Sequence, residues 1–256
     1  MKHIKLFETV AAFETARATL DLPNVSLIEA TNGVNYLPYV STPSHEYVEI
    51  GGLKWATMNV GATSITDYGL YFQWGDTSGY AADQVGSGSG KKYFGWNDYK
   101  YSNNDGTTFT KYNSTDGKMV LEPTDDAVQA NWGGNWRMPT TAEFVALSNA
   151  IDYIDADGNT ISGTDKRTTL SGVTGLYVAD KTDHSKRLFF PAAGFCNYDS
   201  MGGAGSNGYC WSSSLYSSNV QRAYGLGLGS SDVYWQLYSY RFYGYSVRGV
   251  LDDSNS

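Results

Sequence analysis

Twenty-nine glycines punctuate this 256-residue chain. Beyond residue 45 they fall, with Asn, Asp and Ser, at intervals that leave room for short strands and turns but not for long helices. A loop-rich α+β or all-β domain is expected from 46 to 256, and the low charged fraction of 17% with 15% aromatics fits the same reading. One helix stands out. In "RMPTTAEFVALSNAI" (137–151), Thr140 or Thr141 can cap, Glu143 falls in the first turn, and Phe144, Leu147 and Ile151 repeat at helical spacing.

Residues 1–45 differ from the rest of the chain. "LFETVAAFETARATL" has Leu6, Val10 and Phe13 at roughly helical spacing, and Pro23, Gly33 and Pro38 then break up extended segments. The stretch reads as an attachment or oligomerisation arm, or else as an ordinary strand and helix tucked onto the main domain. Residues 80–118 are polar and glycine-rich and read as a long surface insertion. "DADGN" (155–159) has the spacing of a partial calcium loop, but the full acidic order is missing, so a hairpin turn is favoured.

Charge narrows the partners. The net charge of −8 and the absence of a Lys/Arg stripe exclude a nucleic-acid footprint. No apolar run approaches the roughly 18 residues of a membrane span, so no membrane insertion is expected. Lys5 and Glu8 interrupt what would be the apolar heart of an export signal. Cys196 and Cys210 could bridge, two free thiols being the plainer reading. The three histidines stand in no zinc or protease motif, so no catalytic, metal or cofactor residues are assigned.

The stretch from Tyr209 to Arg248 has eight Tyr, nine Ser and four Gly, no Lys or Glu, and Asp232 as its only acid. That is paratope-like chemistry: Tyr gives stiff amphipathic contact area, while Ser and Gly adapt. Alternation separates core from display. Tyr224, Leu226 and Leu228 fall on one face and Gly225, Gly227 and Gly229 on the other; Val233 and Trp235 oppose Tyr234 and Gln236. Tyr245 and Val247 are expected inward in a closing strand, with an aromatic loop from Leu237 to Tyr243 protruding before it. Trp132, Trp136, Trp211, Trp235, Leu226 and Leu228 are the expected core.

Six blocks in order, "LKWATMNVGAT", "DYGLYFQWGDTSGY", "NWGGNWRMPTTAEF", "FFPAAGF", "GYCWSSSLYSS" and "YGYSVRGV", resemble the C-type-lectin-fold domains of Bacteroides-group bacteria and their phages, over roughly residues 46–251. "W-S-S-S" with a terminal "G-x-S-V-R" is similar to the variable proteins of diversity-generating retroelements. The resemblance implies a C-type lectin-like fold and a rewritten ligand-binding face at 209–248. Its positions would be Cys210, Val220, Gln221, Gly225, Gly227, Asp232, Tyr234, Gln236, Leu237, Tyr238, Ser239, Phe242 and Tyr243. It further implies a macromolecular partner, protein or glycan, and a virion or cell-surface location; the arm, read from its own sequence, allows a homo-oligomer. Gly249 stands where the resemblance leads one to expect proline. The calcium-dependent sugar motifs of lectins are missing. Two other readings stay open: a structural decoration domain, and an oxidase on the scaffold shared with the formylglycine-generating enzyme, which uses a cysteine pair and copper.

Overall fold

The computed structural model describes residues 45–252; the expected N-terminal arm lies, but for His45, outside them. Among the described residues the fold is mixed α+β, mostly strands with two α-helices, and its sheets are open. Strands β1 (Tyr47–Ile50) and β2 (Leu53–Asn59) form a hairpin around Gly51 and Gly52. Strand β2 then pairs antiparallel with the last strand, β13 (Ser246–Leu251). The far side of β13 takes β10 (Gly208–Leu215) in parallel, followed by β11 (Arg222–Leu228) and β12 (Val233–Tyr240), each antiparallel to its predecessor. The short β3 (Trp136–Arg137) adds to the end of β13. A strand with three partners sits at the centre, and one with a single partner at the edge. Here β13 is the former and β12 the latter.

A second sheet is built on β6 (Val173–Asp180), which pairs with β4 (Ile151–Tyr153), β5 (Arg167–Leu170) and β7 (Arg187–Pro191). A two-stranded ribbon joins β8 (Phe195–Asn197) to β9 (Ser200–Gly202). Helix α1 (Ala127–Trp132) starts at Asp126, whose carboxylate accepts from the amides of Val128 and Gln129. Helix α2 (Thr141–Ala150) starts at Thr140, and the Glu143 carboxylate accepts from the Thr140 amide in return, completing a capping box. Arg137 holds Glu143 with both guanidinium arms, 2.9 and 2.7 Å.

The large sheet separates two apolar clusters. Neighbours Cys210 and Trp211 fall into different ones, as alternation across a strand requires. Trp211, Ala223, Tyr245 and Val247 join Trp74, Trp132 and Trp136 in the first. Leu226, Leu228 and Trp235 join Trp55, and Phe144 and Leu147 of α2, in the second. The expected core residues are therefore buried. Two buried indole N–H groups find acceptors far along the chain, Trp74 to Ser212 O at 2.8 Å and Trp211 to Phe72 O at 2.9 Å, while that of Trp55 has no partner among the described residues.

Arg248 is fully buried, and among the described residues no carboxylate pairs with it. Its fork donates to Asn59 Oδ1, Ala56 O and Phe189 O, each at 2.9 Å, tying β2 and β13 to the second sheet. Burial pulls its pKa down to about 10, so it stays charged at neutral pH.

The stretch 80–118 is not the surface insertion that its composition suggests. It is irregular, with single 3-10 turns at Ala82–Gln84 and Trp96–Asp98, but Phe94, Tyr99, Tyr101 and Tyr112 are core. Tyr99 OH donates to Trp74 O at 2.9 Å and Tyr112 OH to Asp125 Oδ2 at 2.6 Å. Arg241 is also fully buried, its guanidinium 4.0 Å from the Phe109 ring centroid and donating to Tyr112 O at 3.1 Å. The segment hangs polar turns on inward aromatic pegs, which an average over its residues hides.

At 155–159 the Asp155 carboxylate takes the amides of Asp157 and Asn159, and Ile154 bridges to Thr160, which makes a hairpin turn. Among the described residues no cluster of three or more His, Cys, Asp or Glu could hold a metal, and no helix is long and apolar enough to cross a membrane.

Candidate binding face

Strand β12 reads "VYWQLYSY", and its position at the sheet edge decides what each residue does. Trp235 packs inward near Phe144 of α2 and donates its indole N–H to Tyr153 OH at 3.0 Å. Tyr234 and Tyr238 are 53% and 44% exposed, and Gln236 is exposed between them. An irregularity in the β11–β12 ladder, between the Gly225–Leu237 and Gly227–Tyr234 pairs, shifts the alternation. Consequently Trp235 and Tyr238, of opposite parity in sequence, both oppose even-numbered β11 residues: Trp235 shares a cluster with Leu226, and Tyr238 pairs with Tyr224.

Beyond the reach of α2 this face carries a row of planar groups. Tyr216 and Tyr238 stack with centroids 4.3 Å apart and planes 1° from parallel, and Tyr224 meets Tyr216 edge-on at 5.2 Å. The Arg222 guanidinium carbon lies 5.3 Å from the Tyr238 centroid and 4.8 Å from that of Tyr240. Tyr240 in turn stacks on Phe242 at 5.8 Å. A tight turn builds the row: Tyr216 N donates to Arg222 O and Arg222 N to Asn219 O, so the ends of β10 and β11 sit side by side.

The row continues into residues outside the C-terminal segment. Trp96 packs on Tyr240 at 5.9 Å and on Phe242 at 4.7 Å, and Tyr198 lies 5.5 Å from Phe242. Tyr198 is 46% exposed and contacts Tyr93 at 5.7 Å. Gln221 Nε2 donates to Gly106 O at 2.6 Å, clamping the 103–109 loop beside the face. Phe195 contacts both Tyr209 and Tyr243.

Not every position expected on the face is on it. Cys210 is 4% exposed, within the second cluster, and burial pushes its thiol up to about 12. Cys196 is also buried, and both cysteines are free thiols. Gly225 and Gly227 are buried as well. A Cβ on Gly225 would stand 2.5 Å from Cys210 O, and one on Gly227 would stand 2.7 Å from Leu237 Cδ2, so neither site accepts a side chain without displacement. Phe242 is 3% exposed, a floor under Tyr240 and Tyr243. The aromatic loop expected from Leu237 to Tyr243 is instead the end of β12 followed by the buried Arg241 and Phe242. Val220, Gln221, Leu237, Ser239 and Tyr243 are half-buried, and Asp232, Tyr234, Gln236 and Tyr238 are exposed.

Tyr216, Arg222, Tyr224, Tyr240, Trp96 and Tyr198 are absent from the sequence-derived set. Cross-strand pairing would have found Tyr224 and Arg222, which lie opposite Tyr238 and Tyr240; nothing local marks Trp96 or Tyr198. Hydrogen bonding to Asp232 raises the pKa of the Tyr234 hydroxyl, and burial raises those of Tyr224 and Tyr243. The Tyr238 side of β12 can therefore offer phenol donors and one guanidinium, while Tyr234, paired with Gly227, presents its phenol from the other side of the sheet. Compared with known proteins, the chain matches no protein-family model, no curated protein and no solved structure.

Proposed function

We propose that this chain is a receptor-recognition protein on a C-type lectin-like scaffold, of the variable-protein kind found with diversity-generating retroelements, displayed on a phage tail or a cell surface. The observation that carries the reading is the division of labour on β12. Trp235 locks the strand to α2, while Tyr234, Gln236 and Tyr238 are exposed to solvent. Stiff aromatic side chains bind macromolecules at low entropic cost. In this reading the diversified set shrinks to Asp232, Tyr234, Gln236 and Tyr238 with their half-buried neighbours, and excludes Cys210, Gly225, Gly227 and Phe242.

The test is genetic. A near-copy of the DNA for residues 209–248 beside a reverse-transcriptase gene should differ at the codons of the exposed residues and match at those four buried ones. Absence of any such copy, or differences concentrated at the buried codons, contradicts the reading.

One observation favours a second reading, a decoration domain that associates with itself. β12 is an edge strand without a charge between Val233 and Tyr240. Native mass spectrometry separates the two: a monomer over the micromolar range leaves the face free, and a dimer abolished by Tyr238→Lys assigns it to self-association.

A further inference from the structure

Arg222 stands apart from the other arginines of the described residues. Arg137 is held by Glu143 and Asp252, Arg167 by Asp165, Arg187 by His184 O, Arg241 by Tyr112 O and Arg248 by three acceptors. Arg222 alone among them has no acceptor for its side chain, and its Nε is buried without a partner. It is fixed instead by ring faces, over Tyr238 and Tyr240. Cation–π contact orients a guanidinium but leaves its N–H donors unspent. Such a fork, already ordered and partly dehydrated, is matched to a carboxylate, which it can meet with two parallel bonds.

Building on the display reading, we infer that Arg222 is the anchor of the face and takes an Asp or Glu carboxylate from an acidic segment of a protein ligand. The rings of Tyr238 and Tyr240 flank it, and their phenols are further donors. A protein is favoured over an acidic glycan by how the rings are used. Tyr216 and Tyr238 stack on each other and the guanidinium lies over Tyr238 and Tyr240, so ring faces that would take a sugar are engaged internally. The chain's net charge of −8 does not oppose this at contact range, because charges beyond a screening length of about 8 Å at physiological salt are largely masked.

The experiment tracks the Arg222 Nε–Hε NMR signal in the full chain while poly-L-glutamate, alginate (a polyuronate) or neutral dextran is added. Poly-glutamate should shift that signal and bind with an affinity that falls roughly 10-fold or more in Arg222→Gln, the range for a charge-assisted bond. Arg222→Lys, which keeps charge and loses the fork, should recover only part of it. Arg167→Gln, whose guanidinium already has Asp165, should bind as wild type. Equal binding by wild type and Arg222→Gln overturns the inference, as does binding of alginate in preference to poly-glutamate or of neither. Tyr238→Ala keeps the two claims apart. If it abolishes poly-glutamate binding while Arg222→Gln does not, the face binds ligand and only the anchor is misassigned.

Discussion

Strands β12 and β13 come from one aromatic, Ser-containing segment, yet they have opposite fates. In β12 exposed and inward residues alternate around the irregular step, whereas β13 is buried along all but its last residue. Composition does not distinguish them; neighbours do. β13 is flanked by β2, β10 and β3, and both its faces meet a cluster. β12 has β11 on one side only, and α2 covers just the part around Trp235. Tolerance to substitution is thus a property of sheet position, and a protein can rewrite an edge strand where it cannot rewrite a central one.

Substitutions should expose this contrast, the largest losses falling at the centre. Trp211→Ala, beside β13 on β10, removes a fully buried indole and its bond to Phe72 O; it should cost roughly 3–5 kcal/mol by denaturant unfolding. Arg248→Ala should rank next, about 3 kcal/mol, because three buried acceptors lose their donor. Gly225→Ala should cost about 1–3 kcal/mol, since the added methyl meets the Cys210 carbonyl, which is backbone and cannot swing away. Tyr238→Ala should change stability by no more than about 1 kcal/mol, the scale of a cross-strand pair, while weakening ligand binding by about 2 kcal/mol.

Acid should sharpen the contrast from another side. Burial alone would raise the Asp125 carboxyl, but bonds from Lys111, Tyr112 and Lys100 outweigh it and hold the group well below the usual carboxylate range. A folded pKa below the unfolded one of about 3.9 contributes stability above that pH and loses it as pH falls. Hydrogen exchange should therefore rise around residues 99–125 below about pH 4 before it rises in β10 and β13. The Asp125→Asn variant should show a smaller acid-dependent step, the remainder coming from Asp105, Asp116 and Glu122, whose carboxyl pKa values are also lowered.

Much of this architecture is legible in the chain. The capping box is written in Thr140 and Glu143, and strand alternation correctly buries Leu226, Leu228 and Trp235. Two things are not legible. The pegs Phe94, Tyr99, Tyr101 and Tyr112 sit in a stretch whose mean polarity is high, and only long-range bonds such as Tyr99 OH to Trp74 O reveal their direction. The shift of parity between Leu237 and Tyr234 depends on pairing with β11, which no local pattern encodes. Local pattern and family resemblance therefore put Cys210, Gly225, Gly227 and Phe242 outward and pass over Arg222.

The most direct test is the unfolding free energy of a triple variant, Tyr234→Ala, Gln236→Ala and Tyr238→Ala, beside wild type and Trp211→Ala. A loss under about 2 kcal/mol with a native far-UV spectrum is the predicted result, since exposed positions individually move stability by a few tenths to about one. A loss equal to that of Trp211→Ala would mean the β12 side chains hold the fold together and are not free to be exchanged.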